Sequence, residues 1–154
     1  MITYSETIDI MKAQGQADAL ELQAKGPEMS GTEINAESGK LPLFSKAVKL
    51  KNMLDRPIGF VCVSDAGRAV RLLQPYDSNT VTQQPEELSA QWGFYWSTDP
   101  KKALPFIALA TSPYNIDDCC TEGTGVYASA INGNVFAPSD YPQGWRYVGE
   151  IGNV

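Results

Sequence analysis

The chain of 154 residues contains no histidine. Histidine is the side chain whose ordinary pKa lies nearest neutrality, so a Ser-His or Cys-His nucleophile is excluded, as is the commonest metal ligand. Cysteine is scarce, with Cys62, Cys119 and Cys120 making an odd count that cannot build a full disulfide framework. Cys119 and Cys120 are adjacent, which is not a CxxC metal spacing. The expected state of all three is a free, buried thiol. Basic residues are few, 12 Lys and Arg against 18 Asp and Glu, for a net charge of −6. A chain of that sign lacks the electrostatic footprint of a DNA or RNA binder and is repelled by anionic membranes. Long apolar runs are also missing. The longest, 104–110, is broken by Pro105 and falls far short of the roughly 20 residues that span a bilayer. The opening Met1-Ile2-Thr3-Tyr4-Ser5-Glu6 has neither a basic start nor an apolar run, so no secretory signal is expected there. Folding in a cytoplasm is the expectation.

Catalytic groupings are equally thin. Gly123-Thr124-Gly125 lacks the rest of either nucleotide-binding loop. Glu86-Glu87 and Asp117-Asp118 read as solvated turns, the default for exposed acids, and not as a glycosidase pair. Asp117, Asp118 and Glu122 do not have the spacing of an EF-hand loop. The expectation is a binding protein that is not an enzyme and uses no cofactor.

What the chain does have is apolar residues at 43%, three Trp, and many turn formers in 13 Gly and 10 Pro. That combination suits short strands joined by tight turns. Residues 1–26 are the exception and read as a helical arm. Thr3 and Glu6 form a capping box, and Tyr4, Ile8, Met11, Gly15, Ala19 and Leu22 recur in steps of three and four. Gly26-Pro27 stops the helix. The stripe of Tyr4, Ile8, Met11 and Leu22 has to pack on its own domain or on another chain. Residues 27–57 form a turn-rich connector, with a second capping box at Ser30 and Glu33. Phe44, Val48 and Leu50 hint at a strand there, although Lys46 spoils the alternation.

From residue 58 the pattern is β and repeats itself. Phe60-Val61-Cys62-Val63, a turn ending at Gly67, and Ala69-Val70-Arg71-Leu72-Leu73 lead through Asn79 and Pro85 to Trp92. Cys119-Cys120, a turn ending at Gly125, and Val126-Tyr127-Ala128-Ser129 lead through Asn134 and Pro138 to Trp145. The organisation expected is an arm at 1–26, a connector at 27–57, a first β repeat at 58–96, a linker at 97–113 and a second β repeat at 114–154. The fold class is mainly β.

Strand, Gly turn, strand, Asn loop, Pro and Trp in this order resemble the small chitin-binding modules of carbohydrate-binding families 5 and 12. Met29-Ser30-Gly31-Thr32-Glu33, the stretch from Thr98-Asp99-Pro100 to Phe106 and the run from Thr111-Ser112 to Cys119-Cys120 are similar to small tailed-phage and prophage proteins. In these, such modules follow an N-terminal helix. The resemblance covers about residues 29–150. It implies a virion protein assembled in the host cytoplasm, a head decoration, fibre or tail component, that binds other virion proteins or copies of itself. The other reading it implies is a module at the particle surface that recognises a receptor polysaccharide. Sugar-stacking candidates are Tyr127, Trp145 and Tyr147 in the second copy, and Tyr76, Trp92 and Trp96 in the first. Trp92 and Trp145 are also the natural core ring of each small module, which leaves Tyr127, Tyr141 and Tyr147 as the better surface candidates. Val70 stands where the family often has an aromatic residue, whereas the second copy keeps Tyr127.

Overall fold

The structure, a computed structural model, describes Leu22, Gln23 and residues 29–154. The arm read at 1–26 therefore lies outside the described residues except for Leu22 and Gln23, which are helical. The fold is mainly β. One sheet holds β1 (Val61–Val63), β2 (Ala69–Leu72) and β3 (Trp92–Phe94), all antiparallel, in that order. The other holds β4 (Leu104–Pro105), β5 (Cys119–Glu122), β6 (Gly125–Ser129) and β7 (Trp145–Glu150). There β4 runs parallel to β5 and the rest are antiparallel.

Two short helices precede the sheets. The first, α1 (Gly31–Ala36), starts at the expected capping box: Glu33 N–H donates to Ser30 Oγ, and Ser30 N–H donates to Glu33 Oε1. The second, α2 (Phe44–Leu50), replaces the strand that Phe44, Val48 and Leu50 had suggested. Phe44, Ala47 and Val48 are spaced three and four apart, so a helix turns all three toward the core. Lys46, which broke the alternation, falls on the solvent side.

The first sheet is buried on both faces, which is why Phe60–Val63 reads as a continuous apolar run. Strand geometry sends successive side chains to opposite faces. Cys62, Val70, Leu72, Trp92 and Phe94 join Phe44, Met53 and Tyr76 in one cluster. Val61, Ala69 and Tyr95 join Leu22, Ile34 and Leu41 in another. Trp92 is fully buried, with Phe44 and Tyr76 edge-on to it at 5.7 and 6.2 Å, and its Nε1 donates to Tyr76 OH. The outer edge of β1 is closed as well. The Gln23 carboxamide accepts from Val61 N–H and donates to Val61 C=O, while Val63 N–H donates to Pro42 C=O.

The two copies of the repeat share strand order and register. In each, a three-stranded antiparallel unit ends in a strand whose first residue is Trp, paired with the last residue of the strand before it: Leu72 with Trp92, Ser129 with Trp145. The turn glycine that matches Gly67 (φ +90°) is Gly123 (φ +60°), two residues ahead of β6; Gly125, read as the turn's end, is the first residue of that strand. Asn79 and Asn134 are not equivalent either. Asn79 is exposed, whereas Asn134 is fully buried and donates to Ser129 Oγ and Gly144 C=O.

An aromatic column joins the sheets. Phe94 stacks on Trp96 at 5.7 Å, Trp96 on Tyr114 at 4.3 Å, and Tyr114 on Phe106 at 5.4 Å. Trp145 meets Phe106 and Tyr114 edge-on. Arg68 adds a polar tie, with Nη1 3.4 Å from Glu86 Oε1 and Nη2 donating to Pro105 C=O of β4. Helix α1 lies hard against this column. A β-carbon on Gly31 would sit 2.1 Å from Trp96 O, whereas one on Gly39 meets open space. Gly31→Ala is expected to lower stability by about 1–3 kcal/mol, and Gly39→Ala by less than about 0.5 kcal/mol. Denaturant unfolding of both variants beside the parent checks this; equal midpoints would contradict the packing described.

Candidate functional site

The six aromatic candidates divide by what already covers them. Trp92 and Tyr76 are buried in the first sheet's core. Trp96 has Phe94 on one side and Tyr114 on the other, and its Nε1 donates to Ser112 C=O. Trp145 is buried under Phe106 and Tyr114, with Nε1 donating to Phe136 C=O at 2.8 Å. The faces of these four rings are occupied.

Tyr127 and Tyr147 stand apart from them. They are direct partners across β6 and β7, so their side chains rise from the same face, with centroids 5.6 Å apart and planes at 65°. Tyr127 is half-buried against the Trp145 cluster, while Tyr147 is 54% exposed. Counting from the paired Trp, the same two positions in the first sheet are Val70 and Phe94, both buried. Equivalent register therefore carries two core residues in one sheet, and a half-buried and an exposed ring in the other.

Local sequence sets the ring positions. Gly125 lies two residues before Tyr127 on the same face, and a β-carbon there would come within 2.9 Å of Tyr127 Cε2. Glycine thus makes room for the ring along its strand. On β7, Tyr147 OH donates to Glu150 Oε1 at 2.6 Å. That bond is the main reason the Glu150 carboxyl lies below the usual carboxylate range, and the same bond raises the Tyr147 hydroxyl. A loop borders this face: Ser139 N–H and Oγ donate to the Glu122 carboxylate, and Phe136 (54% exposed) packs edge-on to Tyr141 at 5.8 Å. Phe136 escaped sequence reading because it sits in a loop with no periodic neighbours. Each ring pair thus has one exposed member, Tyr147 and Phe136, and the carboxylates of Glu122 and Glu150 lie nearby. Flat rings suit apolar C–H surfaces of pyranose sugars, and carboxylates accept hydrogen bonds from hydroxyls.

One member of each acid pair departs from the expected solvated turn, while Glu87 and Asp117 are exposed. Glu86 is mostly buried, paired with Arg68 and accepting from Ser64 Oγ. Asp118 borders a cavity of about 370 Å³ together with Arg71, Tyr95, Trp96 and Asn115. Burial raises its carboxyl above the ordinary range. Asp117, with φ +74°, is the one described non-glycine residue in the left-handed region, and its carboxylate lies 3.4 Å from Arg146. Among the described residues no cluster of three or more His, Cys, Asp or Glu is placed to hold a metal ion.

Cys62, Cys119 and Cys120 are free and buried. Burial pushes the Cys119 thiol up to about 11 and Cys120 up to about 12, and drives Cys62 further in the same direction. Comparison with protein-family models, with curated proteins and with solved structures gave no match.

Two outcomes follow from this geometry. Tyr147→Phe removes the hydroxyl that favours ionised Glu150, so the Glu150 pKa is expected to rise toward the ordinary value, read by carboxyl NMR titration. An unmoved pKa would mean that the bond is not made in solution. At about pH 8 the native thiols are expected to stay protonated and resist a thiol reagent, all three reacting once denaturant opens the core. Fast labelling of the native protein would contradict their burial.

Proposed function

We propose that this chain is a non-catalytic structural protein of a tailed-phage particle that contacts polysaccharide through the β6–β7 face. The observation that carries the reading is exposed Tyr147 paired with half-buried Tyr127 beside the Glu150 carboxylate, while Trp92, Tyr76, Trp96 and Trp145 are spent on packing. Stacking rings and fixed acceptors are the two elements that sugar recognition needs. The particle setting is supported by the resemblance carried by residues 29–150. The runner-up is a pure assembly protein, in which both repeats serve only as scaffold. Its support is the tie between arm and domain, where Leu22 is buried and Gln23 pairs with Val61.

Retention of the purified protein on insoluble chitin and peptidoglycan separates the two. The parent is expected to be retained, and the Tyr127→Ala, Tyr147→Ala double variant to lose retention by roughly tenfold or more. Tyr147 is exposed and Tyr127 half-buried, so circular dichroism of the variant should match the parent. A folded parent that passes through both matrices freely would leave the scaffold reading in place.

A further inference from the structure

Strand register fixes what surrounds Tyr127 and Tyr147. Two rows of residues cross β5, β6 and β7 on the side that carries these rings. Cys120, Tyr127 and Tyr147 are partners in one row, and Glu122, Gly125 and Glu150 in the next. Partners on neighbouring strands share a side, as do residues two apart on one strand. Glu150 is three residues from Tyr147, but β7 carries Val148 as an extra residue opposite Val126 and Tyr127, and this bulge returns Glu150 to the side of the rings. The bond from Tyr147 OH to Glu150 Oε1 agrees with that placement.

The centre of the second row is a glycine, and the phenol end of Tyr127 lies over it. A β-carbon on Gly125 would be 2.9 Å from Tyr127 Cε2 and 3.1 Å from its hydroxyl. The ring therefore reaches between two carboxylates. Paired Cα atoms lie about 5 Å apart, so Glu122 and Glu150 start about 10 Å from each other, one on either side. Ser139 N–H and Oγ hold Glu122, and Tyr147 OH holds Glu150. A carboxylate offers about four acceptor positions, which leaves each of them capacity for an outside donor. Among the described residues neither acid is in an ion pair. β5 and β6 contain no Lys or Arg, and Arg146 of β7 alternates to the opposite side, where it lies 3.4 Å from Asp117.

Building on the polysaccharide reading above, we propose that the β6–β7 face selects glycans whose hexosamine units carry free, protonated amino groups over N-acetylated or acidic ones. A neutral sugar uses the rings and the acceptors but leaves two negative charges unanswered. A polyuronate brings carboxylates against carboxylates and is repelled. An amino sugar meets every feature of the face. Its C–H surface stacks on the rings, and its ammonium donates charge-assisted hydrogen bonds to Glu122 or Glu150. The same positive charge is attracted to the π face of a tyrosine.

Isothermal titration calorimetry on the full chain at about pH 5.5, above the carboxylate range, tests this. A glucosamine hexamer is expected to bind roughly fivefold or more tighter than an N-acetylglucosamine hexamer. A galacturonic acid hexamer is expected not to bind. Added salt should bring the two hexosamine affinities together, because exposed charges are screened. Glu122→Gln combined with Glu150→Gln keeps an acceptor oxygen at each position but removes the charge, and should bring the ratio of those affinities toward one. Glu150 is exposed and Glu122 half-buried, so the circular dichroism of this variant should match the parent. Equal affinity of the parent for the two hexosamine hexamers overturns the charge selection while the polysaccharide reading stands. A hexalysine peptide that binds as tightly as the amino sugar overturns it too, since charge alone would then be recognised. Failure of every sugar to bind overturns both the selection and the polysaccharide reading.

Discussion

The stack of Trp96 on Tyr114 is the contact on which the rest of the structure depends. At 4.3 Å and 9° between planes, it joins a residue just past β3 to one just before β5. Each sheet alone is too small to bury its own aromatic residues; the first has three strands of three or four residues. Through Trp96 the core around Trp92 continues into the cluster of Tyr114, Cys120 and Trp145. Removing that ring would separate two cores that are each below the size a stable domain needs. The backbone is shaped around it: Gly31 is compatible only with hydrogen at its α-carbon, and Ser112 gives its carbonyl to the indole and its hydroxyl to Phe94 N–H.

That column also decides which aromatic residues are free. Both repeats place Trp at the start of the third strand and a second ring two residues later. In the first sheet the second ring, Phe94, lies under Trp96 and is consumed by the junction. In the second sheet the junction stops at Trp145, so Tyr147 projects beyond the covered area. One register therefore yields a buried ring at the centre of the molecule and an exposed one at its periphery. The asymmetry between Val70 and Tyr127, visible in the sequence, follows the same rule: an apolar residue where the face is covered, an amphipathic one where it is open.

Much of this was legible from the chain alone, and the misses have identifiable physical causes. The mainly β class, the three-stranded unit ending in Trp and the capping box at Ser30 were readable because each depends on local spacing. The α2 helix was not, because it shows only two turns of periodicity, and Phe44, Val48 and Leu50 fit a short strand almost as well. The turn glycine was misplaced because Gly123 and Gly125 both occur there, and only a backbone angle tells which one bends the chain. Glu86 and Asp118 passed for solvated acids because what surrounds them is distant in sequence: Arg68 is 18 residues from Glu86, and Asp118 lines a cavity shared with Arg71 and Tyr95. Of the candidate site, Tyr127 and Tyr147 were identifiable by strand spacing. Glu150 and Phe136 were not, since one acts through a side-chain hydrogen bond and the other sits in an irregular loop.

The placement of charge completes the physical picture. A chain of net charge −6 would be expected to scatter its cations for solubility, yet four of its 12 lie in residues 46–56 beside exposed leucines. Exposed apolar side chains carry no penalty singly, but a group of them kept open beside a cationic fringe is costly to maintain without a use. The face around β6 and β7 has the opposite character, with Tyr127 and Tyr147 beside Glu122 and Glu150. Anionic and cationic faces on one small protein allow it to engage two different surfaces without either competing for the other's partner, since like charge repels at each.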